Sequence, residues 1–402
     1  MIKKRSNLKY ILYSAINFIV PLILLLLILE LSARIVYFQQ KSEYKLGLFY
    51  GIEKIRNKIN NLTISKINEA KLKEDSKIKS IIEEMGFADI IKKRGLKYVK
   101  YNLVLRLYST EGEDLLKEYQ RQYEDSFKTL FDEANKMHSR LIVLYLPMYS
   151  QYSDNLNIND LEKLSKDRRE INRNFYNELT KKYSIDYLDL TEEITKYPDG
   201  WVTLLPEDIH LSRLGNQIVE KDLAAYIDKY YNTYRSDVTF QQRPDILGHY
   251  KPNLNDTYEI IPDVPFHFRT NKQGLRMDYN LAFPKKQQRI LVLGDSYTYG
   301  PHLPSRDAYP NLLDRRYQDK EVINAGVGGA SITGEASLFL ERAKYVEPDI
   351  IILQVLDNDL EGFFFLVRDE FKEIQGINLS PLEKEYIKKV RDVLIHESIS
   401  SP

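Results

Sequence analysis

The feature that most constrains this chain is a short apolar run, residues 289–293, that stops abruptly in Gly294-Asp295-Ser296. A run of that length bounded by turn residues reads as a strand buried on both faces of a parallel sheet. It belongs to a series: residues 140–147, 186–190, 321–325 and 349–355 read as further strands. Between them, residues 114–137, 163–182, a stretch from a Ser212 cap to about 230, and stretches near 306–318 and 333–346 carry helical spacing. Strands alternating with helices predict an α/β fold around a parallel sheet. Open sheets of this kind bind ligands past the carboxyl ends of their strands, where Ser296 stands. A serine there is a candidate nucleophile, and it needs a base and donors for an oxyanion.

Three other segments supply those groups. Asn324-Ala325-Gly326-Val327-Gly328-Gly329 and Leu356-Asp357-Asn358-Asp359 each follow a strand directly, and Glu207-Asp208-Ile209-His210-Leu211-Ser212 precedes a helix. In this set Ser296 attacks an acyl carbonyl, and His210 takes its proton and returns it to the leaving group, a step worth roughly 10²–10⁴-fold. Asp208 or Glu207 holds the imidazole and stabilises its cation. The amides of Ser296 and Gly329 and the side chain of Asn358 surround the oxyanion, where losing one donor typically costs about 10²–10³-fold.

These four segments resemble the conserved blocks of the SGNH (GDSL-type) hydrolase superfamily, with Ser296 in the first, Gly329 in the second, Asn358 in the third and His210 in the fifth. Residues 265–271, with Gly274 and Arg276, also resemble the lead-in found in membrane-anchored members. The resemblance covers roughly 240 residues, about 100–235 and 260–365. It implies an acyl esterase with a flavodoxin-like three-layer sandwich on a five-stranded parallel sheet. Two departures stand out. The His block here precedes the Ser block, whereas in the family it comes last. Of the histidines after Ser296, His302 lies too close to it to be the block residue, and His396 lies in a tail helix with no Asp three residues before it. The expectation is therefore a circular permutation, with strands in family order 4, 5, 1, 2, 3 and residues 231–286 bridging the old termini. Domain termini that lie close together at the surface make such a rearrangement feasible. The rival is a remnant of two tandem domains, each missing half, that pair between chains. The second departure is that Glu207 occupies the position three before the His, where the family has Asp. Asp208, two before it, is the favoured partner.

The N-terminus carries a targeting signal. Residues 10–29 are one bilayer span of mostly apolar residues, preceded by Lys3, Lys4, Arg5 and Lys9. The expected organisation is a cytoplasmic tail (1–9), a transmembrane anchor (10–30) and a polar, helical juxtamembrane stalk without a core of its own (31–95). Then come a His-bearing half (96–235), a linker or cover segment (236–286) and a half bearing the Ser, Gly and Asn blocks (287–375). A helical tail (376–402) follows, opened by Ser380-Pro381 with Glu383. A cleaved signal peptide is the alternative, with only a weak cleavage site at 31–33. Lys plus Arg and Asp plus Glu both number 58, which gives no global charge argument for nucleic acid, and the chain has no Cys, which excludes thiolate catalysis and Cys-ligated metals.

Blander readings apply elsewhere. Gly326-Val327-Gly328 lacks the third glycine of a dinucleotide loop, Ser331 standing there, so no cofactor is expected. Asp357 and Asp359 read as a solvated strand-end loop and not a metal site, Asp295 as ordering its own loop, and residues 363–365 as packing or an interface before an acyl pocket. The functional expectation is a membrane-anchored, extracytoplasmic serine esterase. Its expected substrate is an ester-bearing glycan, first an O-acetylated envelope polysaccharide and second a lipid ester. Acyl transfer to a sugar fits the same residues. A non-catalytic envelope protein on a decayed hydrolase fold is the alternative from another class. Oligomeric state stays open.

Overall fold

A computed structural model describes residues 83–148, 158–204, 208–261, 264–361 and 379–400. The expected tail and anchor, most of the stalk, Glu207 and residues 363–365 lie outside them. Among the described residues no helix is long and apolar enough to cross a membrane.

Five strands form one sheet: β1 (Arg140–Tyr145), β2 (Asp186–Asp189), β5 (Gln288–Leu293), β6 (Lys320–Asn324) and β7 (Ile350–Val355), in spatial order β2-β1-β7-β5-β6. All four pairings are parallel, with Arg140 opposite Ile350 and Ile290 opposite both Val322 and Ile350. Counted from β5, the order is 2-1-3-4-5, the doubly wound order of flavodoxin-like sheets. The reversal point lies between β5 and β7, where ligands of such sheets bind.

The central strands are apolar without alternation because both faces are covered. Val143, Tyr145, Leu291, Leu293, Ile351 and Leu353 point into one hydrophobic cluster, and Ile142, Leu144, Ile290, Val292, Ile350 and Ile352 into another. The first cluster is closed by residues of α1 (Leu96–Leu107), α2 (Glu113–Lys136), α3 (Ile158–Tyr183), α6 (Ile332–Glu341) and α7 (Pro381–Ser400). The second is closed by α4 (Arg213–Tyr230) and α5 (Tyr309–Arg316). The architecture is a three-layer α/β sandwich. The tail helix α7 starts with the expected capping box: the Ser380 amide donates to Glu383 Oε2 at 2.7 Å and the Glu383 amide to Ser380 Oγ at 3.1 Å.

Two readings of the sequence need correction, and a third gains an element. Phe87 and Ile90, assigned to a coreless stalk, are buried in the first cluster, where the turn 83–87 packs beside α7. The cover segment contains an antiparallel hairpin, β3 (Asn255–Ile261) with β4 (Val264–Arg269), whose Phe266 and Phe268 are buried. Asp357 is 1% exposed, not solvated. Its carboxylate accepts the Met148 amide at 2.9 Å and the Tyr145 hydroxyl, so the loop after β7 is anchored inward.

Candidate active site

The site sits past the carboxyl ends of β5, β6 and β7. Gly294 ends β5 with φ 155°, and a Cβ there would lie 2.3 Å from Thr298 Oγ1 and 2.6 Å from Gln354 Oε1, so no side chain fits. Asp295 then caps a single helical turn, Ser296–Tyr299, by accepting the Tyr297 amide at 2.9 Å. That puts Ser296, half-buried, at the first position of the turn. Among the described residues neither its amide nor its hydroxyl has a hydrogen-bond partner.

Neighbouring loops are bolted to this turn. The Val327 amide donates to the Gly294 carbonyl at 2.9 Å, and Asn324 Nδ2 to the Thr298 carbonyl at 3.2 Å, which brings the glycine loop after β6 alongside. Gly329 turns that loop with φ 78°, a left-handed conformation that favours glycine. Thr298 Oγ1 donates to Gln354 Oε1 of β7 at 2.8 Å. Beyond β7, the Leu356 carbonyl accepts the Tyr176 hydroxyl at 3.1 Å, and the Asp357 carbonyl accepts Asn172 Nδ2 at 2.7 Å. These bonds fix the backbone that leads into Asn358, whose buried Oδ1 has no hydrogen-bond partner.

The histidine arrives from the other half of the chain. The Leu204 amide donates to the His210 carbonyl at 2.9 Å and the Asp208 amide to the Leu204 carbonyl at 3.1 Å, closing a tight loop. Ser212 Oγ then accepts the Gly215 amide at 3.2 Å and starts α4. Asp208 Oδ1 accepts the His210 amide at 2.9 Å and contacts His210 Nδ1. The Tyr297 hydroxyl donates to the Ile209 carbonyl at 2.8 Å, and the His210 ring stands 5.5 Å from the Tyr297 ring. His210 is thus held against the residue that follows Ser296.

Two carboxyls here are pushed in opposite directions. Burial raises Asp295, against the pull of the Tyr297 amide, His210 and Gln354, to about 6. Burial also opposes the charge on Asp208, but hydrogen bonding and charge from His210 and His302 outweigh it and hold that carboxyl well below its ordinary range.

The structure therefore brings Asp208, His210 and the Ser296 turn together and places Gly329 and Asn358 on the adjoining strand ends. Glu207 lies outside the described residues. Sequence reasoning set His302 aside as too close to Ser296 to be the block histidine and gave it no role; it is 2% exposed and faces Asp208 Oδ2 at 3.5 Å. It noted Arg276 only as part of a lead-in. Arg276 is fully buried, and its guanidinium donates to the carbonyls of Tyr299, Gly300 and Leu303, the last two at 2.7 Å. It braces the loop that carries His302. Asp208, His210 and His302 each offer one metal-ligand atom within 4.8 Å of the others. The direct His210–Asp208 hydrogen bond leaves no room for an ion between those two groups, so the trio reads as one carboxylate shared by two imidazoles.

No protein-family model matches the chain, and no curated protein matches it. Among solved structures it is similar to the O-acetyltransferase domain of Pseudomonas putida AlgJ, at 13% identity and TM-score 0.40 over 69% of this chain and 92% of that one. It is also similar to Pseudomonas aeruginosa AlgX, at 13% identity and TM-score 0.36 over 64% of this chain and 59% of that one. Bacillus cereus PatB1 matches at 12% identity and TM-score 0.36 over 62% of this chain and 92% of that one. Likenesses this remote assign no activity to the chain.

Proposed function

We propose that the protein is an SGNH-type serine enzyme that moves an acyl group through an acyl-Ser296 intermediate. The observation that carries this reading is the Asp208–His210 pair packed on the Ser296 turn, at the reversal point of a parallel sheet. Ser296 Oγ attacks the ester carbonyl while its proton passes to His210 Nε2. Asp208 at Nδ1 fixes the tautomer and stabilises the imidazolium. The oxyanion is met by the amides of Ser296 and Gly329 and by the Asn358 side chain. His210 returns the proton to the leaving alkoxide, and a water or sugar hydroxyl releases the acyl group by the same steps in reverse.

The His half preceding the Ser half is read as a circular permutation of the family order, with residues 231–286 joining the old termini. The apolar N-terminal stretch is read as an anchor that leaves the enzyme outside the cytoplasm. Its substrate class would then be an O-acetylated envelope glycan, with hydrolysis and acetyl transfer sharing every step up to the final acceptor. Fluorophosphonate labelling of the full chain tests the core of this reading. Labelling is expected in the wild type and lost in Ser296→Ala and His210→Ala; a folded wild type that resists labelling would overturn it. Free acetate against acetylated sugar, measured on one glycan, separates esterase from transferase.

A further inference from the structure

His302 stands where two features need a common explanation. It adopts φ 63°, a left-handed conformation uncommon for a residue with a side chain, and it is buried. Its Nε2 faces Asp208 Oδ2 at 3.5 Å, and its Nδ1 is buried with no hydrogen-bond partner. The ring packs edge-on against Phe266 of the hairpin at 5.8 Å and lies 5.8 Å from the His210 ring. Its loop is fixed from behind by Arg276.

We propose that His302 is a positioning residue that tethers the second oxygen of Asp208 and so holds the carboxylate in plane for His210; this rests on the acyl-transfer reading above. Asp208 Oδ1 is already committed to the amide and ring of His210. The terminal torsion of an aspartate is soft and broadly distributed, so one anchored oxygen does not fix the plane of the group. A second donor on Oδ2 does. The tautomer follows from burial. A buried lone pair without a partner is tolerated better than a buried N–H without one, so Nδ1 carries no proton and Nε2–H points at Asp208. The contact is long for a hydrogen bond, as is common in catalytic sites before substrate binds. Among the described residues, the groups that face Asp208 and His210 from the elements packed around them are each other, His302, Tyr297 and Asp295.

His302→Gly removes the imidazole without straining the left-handed backbone, and a thermal melt of the variant checks that it is folded. His302→Gln keeps a donor of similar reach. With p-nitrophenyl acetate as probe and the full chain as enzyme, kcat of His302→Gly is expected to fall about 10–100-fold, in the range of other second-layer ligand-orienting groups. KM should be unchanged, and His302→Gln should recover most of the loss. Separately, ¹⁵N-histidine NMR resolves the ring tautomers of the chain's six histidines. A single histidine, assigned by its absence in His302→Gly, is expected in the Nε2–H form, with a shift that moves in Asp208→Asn. Unchanged kcat in His302→Gly, no recovery in His302→Gln, or an Nδ1–H tautomer insensitive to Asp208→Asn would each overturn the tether. So would activity abolished by a chelator and restored by Zn²⁺, which would make the trio a metal site. If the wild type neither labels nor turns over, the acyl-transfer reading fails, and the NMR result still decides whether His302 pairs with Asp208.

Discussion

Asp295 and Asp208 both feel the charge of His210 and illustrate how neighbours decide the charge of a buried acid. The Tyr297 amide, His210 and Gln354 offset the burial of Asp295 only in part. Its carboxyl rises from 3.8 to about 6, so the folded state binds more protons than the unfolded chain between those values. The full stability is present below 3.8 and is lost as pH rises through 6. Asp295→Asn keeps the oxygen that accepts the Tyr297 amide and removes the charge. It should unfold at higher temperature than the wild type at pH 7, by at most about 3 kcal/mol, and with no advantage at pH 3. Thermal melts at the two pH values check this. Asp208 has two imidazoles beside it and stays ionised. Asp208→Asn should lower kcat roughly 10³–10⁴-fold, as expected when a triad histidine is left in the wrong tautomer. Glu207→Gln should leave kcat unchanged, and steady-state kinetics of the two variants separates the acids. The meeting of Asp208 and His210 with the Ser296 turn was legible because each lies in a short motif at a predicted strand or helix end. His302 was not, because no local pattern marks it; its role arises only where its loop meets a loop 90-odd residues earlier in the chain.

At the scale of elements, the parallel strands were legible because burial on both faces leaves an uninterrupted apolar run, as in Ile290 to Leu293. The hairpin was not. Pro265 and the Asn and Asp residues around it resemble a loop, and only the alternation of Phe266 and Phe268 signals a face that needs cover. The start of the packed domain was misplaced for the opposite reason: Phe87 and Ile90 are isolated apolar residues in a polar stretch, and the helix α7 that the 83–87 turn meets lies some 300 residues away. Arg276 joins the hairpin's sequel to the His302 loop. Arg276→Met leaves several buried carbonyls without a donor, and at about 1–3 kcal/mol for each unpaired group it should destabilise the fold by roughly 3 kcal/mol or more. A urea melt measures the loss. Ser212→Ala removes the side-chain cap of α4 at the exit of the histidine loop and should lower stability by about 1 kcal/mol in the same assay.

At the scale of the molecule, His210 comes before the hairpin and the Ser296 turn after it, and within one chain the His210 ring packs 5.5 Å from that of Tyr297. Mixing His210→Ala with Ser296→Ala should therefore restore no fluorophosphonate labelling, whereas a site shared between two chains would recover part of it. The strand order has a further consequence for how the molecule is made. Tyr145 at the end of β1 bonds Asp357 beyond β7, 212 residues later. During synthesis β1 and β2 emerge early, but the strand that must sit beside β1 is the last of the sheet to appear. An apolar ribbon with an unpaired edge must wait for its neighbour through most of translation, and pairings across so long a loop close slowly. The edge of β1 that β7 will cover therefore stays open to wrong pairing until the last strand of the sheet is made.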